Sequence, residues 1–287
     1  MIGQEIILER LDKNNGPYII IGPKGSGKTS LGKEIILRSI CDNKNGCREC
    51  NPCKIFISGN YPDFHSISGG KIDDVRELIS KLSVKPYYHK HYVLLDNIDK
   101  MTIAAQNALL KTIEEPISPT LFVLTGTIQN NILKTILSRC FKLSPQLLNK
   151  VTILQKLEKK YPEEKKEFLR AVSDYACGSL GCAFDMIERK KFYQMLKEDV
   201  QNIKEKNFFE MASRYSGKEY NEETPIILNF FEKYLRDTML EHVKENKDTT
   251  PLYKIIQDIE GYRLELNNNI NKNMMYQNLI LQIQKIA

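Results

Sequence analysis

Tyr18-Ile19-Ile20-Ile21-Gly22-Pro23-Lys24-Gly25-Ser26-Gly27-Lys28-Thr29 is the stretch on which the fold turns. Its first four residues form an apolar, β-branched run of the kind that makes a buried parallel strand, and the run stops at Gly22. From Gly22 the spacing is G-x-x-x-x-G-K-T. Gly22, Gly25 and Gly27 let the backbone form a nest of N–H groups aimed at phosphate oxygens. Lys28 is placed to reach the β- and γ-phosphates of ATP, and the Thr29 hydroxyl to coordinate Mg²⁺. Leu31, Ile35 and Ile36 follow at helical spacing, so the positive end of a helix would face the nucleotide. Strand, loop and helix occur in the order the motif requires, which separates it from a chance glycine turn.

Upstream, residues 2–13 read as a helix carrying Ile6, Ile7 and Leu11, and Asn14-Asn15-Gly16-Pro17 turns the chain into the strand. Downstream come Cys41, Cys47, Cys50 and Cys53, four of seven cysteines within thirteen residues. The expected setting is cytoplasmic, where disulfides do not persist, so four thiolates around a structural Zn²⁺ is the natural reading. Such a metal would fold a small knob with little core of its own. Cys140, Cys177 and Cys182 are scattered and read as ordinary buried thiols. A strand over 64–68 and a helix over 72–82, with Val75, Leu78, Ile79 and Leu82 on one face, come next. His65, His89 and His91 read as surface or strand-end residues.

Tyr92-Val93-Leu94-Leu95-Asp96 is an apolar strand delivering a carboxylate at its C-terminal end, suited to hold Mg²⁺ opposite Thr29. The following residue is Asn97, where a hydrolase of this type carries a glutamate to polarise water. An amide cannot act as a general base, so the site is expected to bind Mg-ATP with little or no hydrolysis. Asp99 is expected to point elsewhere, with a lesser claim to the base role. A helix over 101–115 ends at Pro116, and a strand over 121–125 leads to Thr125 and Thr127, either of which could meet the γ-phosphate; Thr127 is taken as the site residue. Arg139 follows an expected short helix, 131–137, at the edge of this layer, where it could reach another subunit's γ-phosphate.

At 287 residues the chain has room for two or three domains, and a hydrophobic share of 41% suits a globular protein. No signal peptide or membrane span is evident, so no membrane partner is expected. The net charge of +6 permits contact with nucleic acid, and a solvated Lys/Glu surface accounts for it equally well.

Taken together, Gly22–Thr29, the cysteine cluster, Asp96, the run Gln106-Asn107-Ala108-Leu109-Leu110-Lys111-Thr112-Ile113-Glu114-Glu115-Pro116 and the triplet Ser138-Arg139-Cys140 resemble bacterial DNA polymerase III clamp-loader subunits of the AAA+ class. The resemblance covers about the first 190 residues. It implies an α/β plus all-α architecture: an AAA+ domain over 1–144 with a zinc module at about 41–53, a three-helix lid over 145–192, and a helical oligomerisation collar over 193–287. Two kinds of subunit carry these marks, the ATP-hydrolysing tau/gamma motor and delta-prime. Asn97 stands where motors carry the catalytic glutamate, Gly181 stands where they carry a nucleotide-sensing arginine, and the extra C-terminal region of a long motor is lacking. These favour delta-prime, with Arg139 acting in trans on a neighbouring motor. Implied partners are the tau/gamma motors and delta, the sliding clamp indirectly, and primed DNA through the complex. The cysteine cluster has a shorter first interval than the family's zinc module. A short ATP-hydrolysing motor, or an interaction module that admits no nucleotide, remain the other readings.

Overall fold

The computed structural model describes residues 3–11, 16–266 and 270–286. Helix α1 (Glu5–Leu11) leads to strand β1 (Tyr18–Ile21) and α2 (Lys28–Ile40). The ends of the expected 2–13 helix, and Asn14 and Asn15 of the turn, lie outside the described residues. Next come α3 (Asn51–Ile57), β2 (Phe64–Ser68), α4 (Ile72–Leu82), β3 (His91–Asp96), α5 (Ile103–Glu114) and β4 (Thr120–Gly126). A short α6 (Lys134–Leu137) precedes β5 (Phe141–Leu143). All five strands run parallel in the order β2-β3-β4-β1-β5. β1 therefore lies between β4 and β5, although β2 is the strand that follows it in the chain, and the crevice beyond its carboxyl end is where such sheets bind ligands.

Period-two alternation sorts the strand residues onto two faces. Ile20, Leu94 and Val123 pack with Leu8 of α1 and with Leu31, Ile35 and Ile36 of α2. Ile19, Val93, Leu95, Phe122 and Leu124 pack with Val75 and Leu78 of α4 and with Ala105, Leu109 and Ile113 of α5. Both faces are covered, which is why the strands read as continuous apolar runs.

The helix expected over 131–137 is shorter than the spacing suggests. A 3₁₀ turn at Gln129–Asn131 and an extended Ile132 precede α6. The cause is Gln106 of α5, whose buried amide donates to the Asn131 carbonyl (2.8 Å) and accepts from the Leu133 N–H (2.9 Å), holding the chain open there.

Helices α7 (Lys150–Lys160), α8 (Lys166–Tyr175) and α9 (Leu180–Glu188) follow. The chain forms two compact units, Met1–Leu169 with Ala176–Ala183, and Arg170–Tyr175 with Phe184–Ala287. The second is helical, with α10 (Lys190–Gln201), α11 (Phe208–Tyr215), α12 (Thr224–Lys244), α13 (Thr250–Glu265) and α14 (Lys272–Ile286). Pro225 and Pro251 sit in the first turns of α12 and α13, where a missing N–H costs nothing. Its core is tied by buried Asp199, which accepts from the Tyr215 hydroxyl and the Arg214 guanidinium, each at 2.7 Å. Among the described residues, no helix is long and apolar enough to cross a membrane.

Candidate functional site

Two strand ends and the start of a helix bring the site residues together. Asp96 closes β3 and Thr125 lies near the end of β4, while Thr29 lies in the first turn of α2, after the loop that leaves β1. Asp96 Oδ1 accepts hydrogen bonds from the Thr29 hydroxyl (2.8 Å) and the Thr125 hydroxyl (2.5 Å). Its Oδ2 accepts from the Asn97 side-chain amide at 3.1 Å. Asn97 sits in the left-handed region (φ 54°), its N–H donates to Thr125 Oγ1 (3.1 Å), and its amide also donates to Ser68 Oγ (3.2 Å). An amide at this position is a donor toward the carboxylate, so it neither abstracts a proton nor orients water as a base would.

Lys28 is buried, and its ammonium donates to the carbonyls of Gly22 and Pro23, both at 2.9 Å. Burial pulls its pKa below the ordinary lysine value, against the opposing pull of Asp99 and then Asp96. Asp99 thus does not point away as expected. It is buried near the lysine, with Oδ2 accepting from the Ile128 N–H (3.1 Å) and Oδ1 without a hydrogen-bond partner among the described residues.

The segment at the start of α9 lies directly on the phosphate loop. The Gly181 N–H donates to the Gly25 carbonyl (3.0 Å), and the Ser179 hydroxyl donates to the Lys24 carbonyl (3.2 Å). A Cβ on Gly181 would come within 2.7 Å of the Gly25 oxygen and 2.8 Å of its Cα, so any side chain there would force loop and helix apart. Gly25 itself has φ 75°, a conformation that favours glycine.

A second cluster lies at the end of α2. The Sγ atoms of Cys41, Cys47, Cys50 and Cys53 all fall within 4.8 Å of one another, Cys41 included despite its short interval. Backbone N–H groups point at the sulfurs: Cys47 N–H to Cys41 Sγ (3.4 Å) and Cys50 N–H to Cys47 Sγ (3.3 Å). Burial would raise the Cys41 thiol, but N–H groups from Cys47, Asn45 and Asn43 bring it down to about 6, whereas burial pushes Cys53 up to about 12. Four convergent thiols with amide support fit a metal ion by donor number and chemistry.

Arg139 stands just past α6 with its guanidinium partly exposed. It makes a paired contact to Glu114, Nε to Oε2 at 3.0 Å and Nη2 to Oε1 at 3.2 Å, and donates to the Thr135 carbonyl (2.9 Å). Thr127, past the end of β4, makes no side-chain hydrogen bond to the Asp96 group among the described residues. Thr125 fills that place, its hydroxyl turned onto Asp96.

Residues 7–148 match the family described as DNA polymerase III, delta subunit. The chain is 28% identical over 207 residues to DNA polymerase III subunit tau of Bacillus subtilis, covering 66% of this chain and 37% of that protein. To DNA polymerase III subunit delta' of the same organism it is 33% identical over 155 residues, covering 51% of this chain and 46% of the relative. The chain thus spans less than half the length of these two relatives. The chain is a homologue of the DNA polymerase III delta-prime and gamma/tau subunits. A crystal structure of a DNA polymerase III, gamma subunit-related protein from Thermotoga maritima aligns over 99% of both chains with a TM-score of 0.45 and 17% identity. The fold of this homologue is a parallel five-stranded sheet carrying a phosphate loop, followed by helices.

Several functional contacts of the homologue escaped sequence reasoning. Thr125, one of the two strand-end threonines the sequence offered, and Gln106 act through hydrogen bonds to residues 25 to 29 positions away, and it is these partners that no local pattern reveals. Gln106 is nonetheless the first residue of the Gln106–Pro116 run, and its burial explains why that run begins with an amide. His91 opens β3, as the strand-end reading allows, and is buried there: its Nε2–H donates to the Val84 carbonyl (2.9 Å), leaving Nδ1 to accept from His65 (3.3 Å). None of the three scattered cysteines is fully buried: Cys140 and Cys182 are half-buried, and Cys177 is exposed in a left-handed turn at φ 48°.

Proposed function

We propose that this chain is a delta-prime-type subunit of a DNA polymerase III clamp loader, helping to place the sliding clamp on primed DNA. The observation that carries it is the Asn97 amide bonded to Asp96 at 3.1 Å beside intact Lys28 and Thr29. Groups that would hold Mg-ATP are retained, and the group that would activate water is replaced by a donor. Gly22, Gly25, Gly27 and Lys28 would hold the phosphates, with Thr29 and Asp96 toward Mg²⁺ and Thr127 at the γ-phosphate. Mg²⁺ would supply charge neutralisation there. Lys28 would exchange its two loop carbonyls for phosphate oxygens, and Thr29 would turn from Asp96. Own turnover is expected to be absent or weak.

Cys41, Cys47, Cys50 and Cys53 are proposed to hold a structural Zn²⁺, whose role is to fix the knob. The second, helical unit is proposed as the collar that joins this chain to tau/gamma motors and delta, as the family resemblance implies. Arg139 is proposed to serve the ATP site of a neighbouring motor. Its present partner is an exposed carboxylate, and exposed pairs of this kind contribute only about 0–1 kcal/mol, so a γ-phosphate can displace Glu114. In the assembled complex, Arg139→Ala should depress ATP turnover and leave assembly intact, as read by steady-state hydrolysis and gel filtration. Unchanged turnover would contradict the role.

A further inference from the structure

The loop Ser83-Val84-Lys85-Pro86-Tyr87-Tyr88-His89-Lys90 has no part in the nucleotide chemistry. It enters β3 at His91, the opposite end of a six-residue strand from Asp96, roughly 16–20 Å away at about 3.3 Å per residue. It is nonetheless built rigidly. Buried Asp63 accepts the N–H groups of both Tyr87 (2.7 Å) and Tyr88 (2.8 Å), and Pro86 is buried beneath them. The fixed backbone holds the Tyr87 ring outward, 78% exposed.

Behind that ring stands a relay of aromatic contacts. Tyr87 meets Tyr88 edge-on at 4.9 Å, Tyr88 stacks on Tyr61 (5.1 Å, 28°), and Tyr61 meets Tyr92 at 5.8 Å. Lys90 Nζ lies 5.5 Å from the Tyr92 ring, and Lys44 of the cysteine knob is close enough to help burial lower the Lys90 pKa. Lys44, Lys85 and Lys90 make no ion pair among the described residues. The exposed carboxylate of Asp42 reaches Tyr61 by its field but pairs with none of them.

A pre-ordered exposed tyrosine flanked by uncompensated lysines matches the requirements of one ligand class. Bases present a π-face to the ring, and phosphates meet the ammonium groups. A duplex keeps its bases stacked on each other and cannot offer that face. We infer that the 83–90 loop, with Lys44, is a binding platform for single-stranded nucleic acid in which a base stacks on Tyr87 and Lys85, Lys90 and Lys44 contact the backbone. This does not rest on the nucleotide site or on the clamp-loader reading.

The test is fluorescence anisotropy of the full chain with labelled dT25 and with a 25-base-pair duplex, between 50 and 200 mM salt. The single strand should bind more tightly than the duplex, with affinity falling linearly in log salt. Tyr87→Ala should weaken dT25 binding by about fivefold to a hundredfold, the range found for lost base–aromatic stacking. Tyr87→Phe should stay near wild type, and Lys90→Gln should lower the salt slope by about 0.7, one phosphate contact on a single strand. Dissociation constants unchanged by Tyr87→Ala, or equal binding of the duplex, would overturn the inference. Absence of saturable dT25 binding at 50 mM salt would also overturn it and leave Tyr87, with exposed Val84 and Ile117, as a protein-docking face.

Discussion

Gln106, at the head of the Gln106–Pro116 run, ties together backbone on both sides of the site. Its side-chain NH₂ reaches the carbonyls of Ile98 (3.3 Å), Met101 (3.3 Å) and Asn131 (2.8 Å), while its oxygen takes the Leu133 N–H. It thereby joins the turn after Asp96 to the segment that leads into Arg139. Gln106→Leu would leave these buried backbone groups unpaired at about 1–3 kcal/mol each, with relaxation and water reducing the sum. A loss of about 2–5 kcal/mol in urea unfolding is expected; a change under about 0.5 kcal/mol would show that the bridge is dispensable. At this scale the sequence revealed Lys28, Thr29, Asp96 and Asn97, because strand, loop and spacing announce them. Thr125 was legible as a strand-end hydroxyl, but its bond to Asp96 and the inward turn of Asp99 were not, since each depends on which strands become neighbours. Gly181 was legible as a missing arginine, but its 2.7 Å approach to Gly25 was not.

The cysteine knob shows an element whose sequence spacing and structure agree for a chemical reason. Cys41 caps α2, with its N–H on the Leu37 carbonyl, and Asn51-Pro52-Cys53 starts α3 with proline in the first turn. Two helix ends therefore deliver one buried thiol each, and the turn between supplies Cys47 and Cys50. The knob's apolar cluster is only Leu37, Cys41 and Cys53 with Phe56 and the other two cysteines packed against it, too little to hold it alone. Removing the proposed metal with a chelator should release about one zinc per chain and open residues 41–57 to protease, with a lowered melting temperature. Zinc-free protein with unchanged protection there would contradict a structural metal. The short α6 was less legible. Its boundary is decided by Gln106, 25 residues upstream of the carbonyl it binds, rather than by its own periodicity.

Across the whole molecule, the order of elements was readable because each strand run alternates with an amphipathic helix, the pattern of a doubly wound sheet. The helical second unit was readable as helices but not as a partner surface, since an exposed apolar position such as Leu240 or Val243 reads the same in any helical bundle. The proposed site keeps the groups that would hold nucleotide and has an amide in place of a base. The direct measurement is ATP binding and ATP turnover on one preparation of the isolated chain, with Lys28→Ala as control. Binding that Lys28→Ala abolishes, with turnover at background, is the expected result. Turnover that Lys28→Ala abolishes would contradict it and mark the chain as a motor, and no binding at all would contradict the retention of nucleotide.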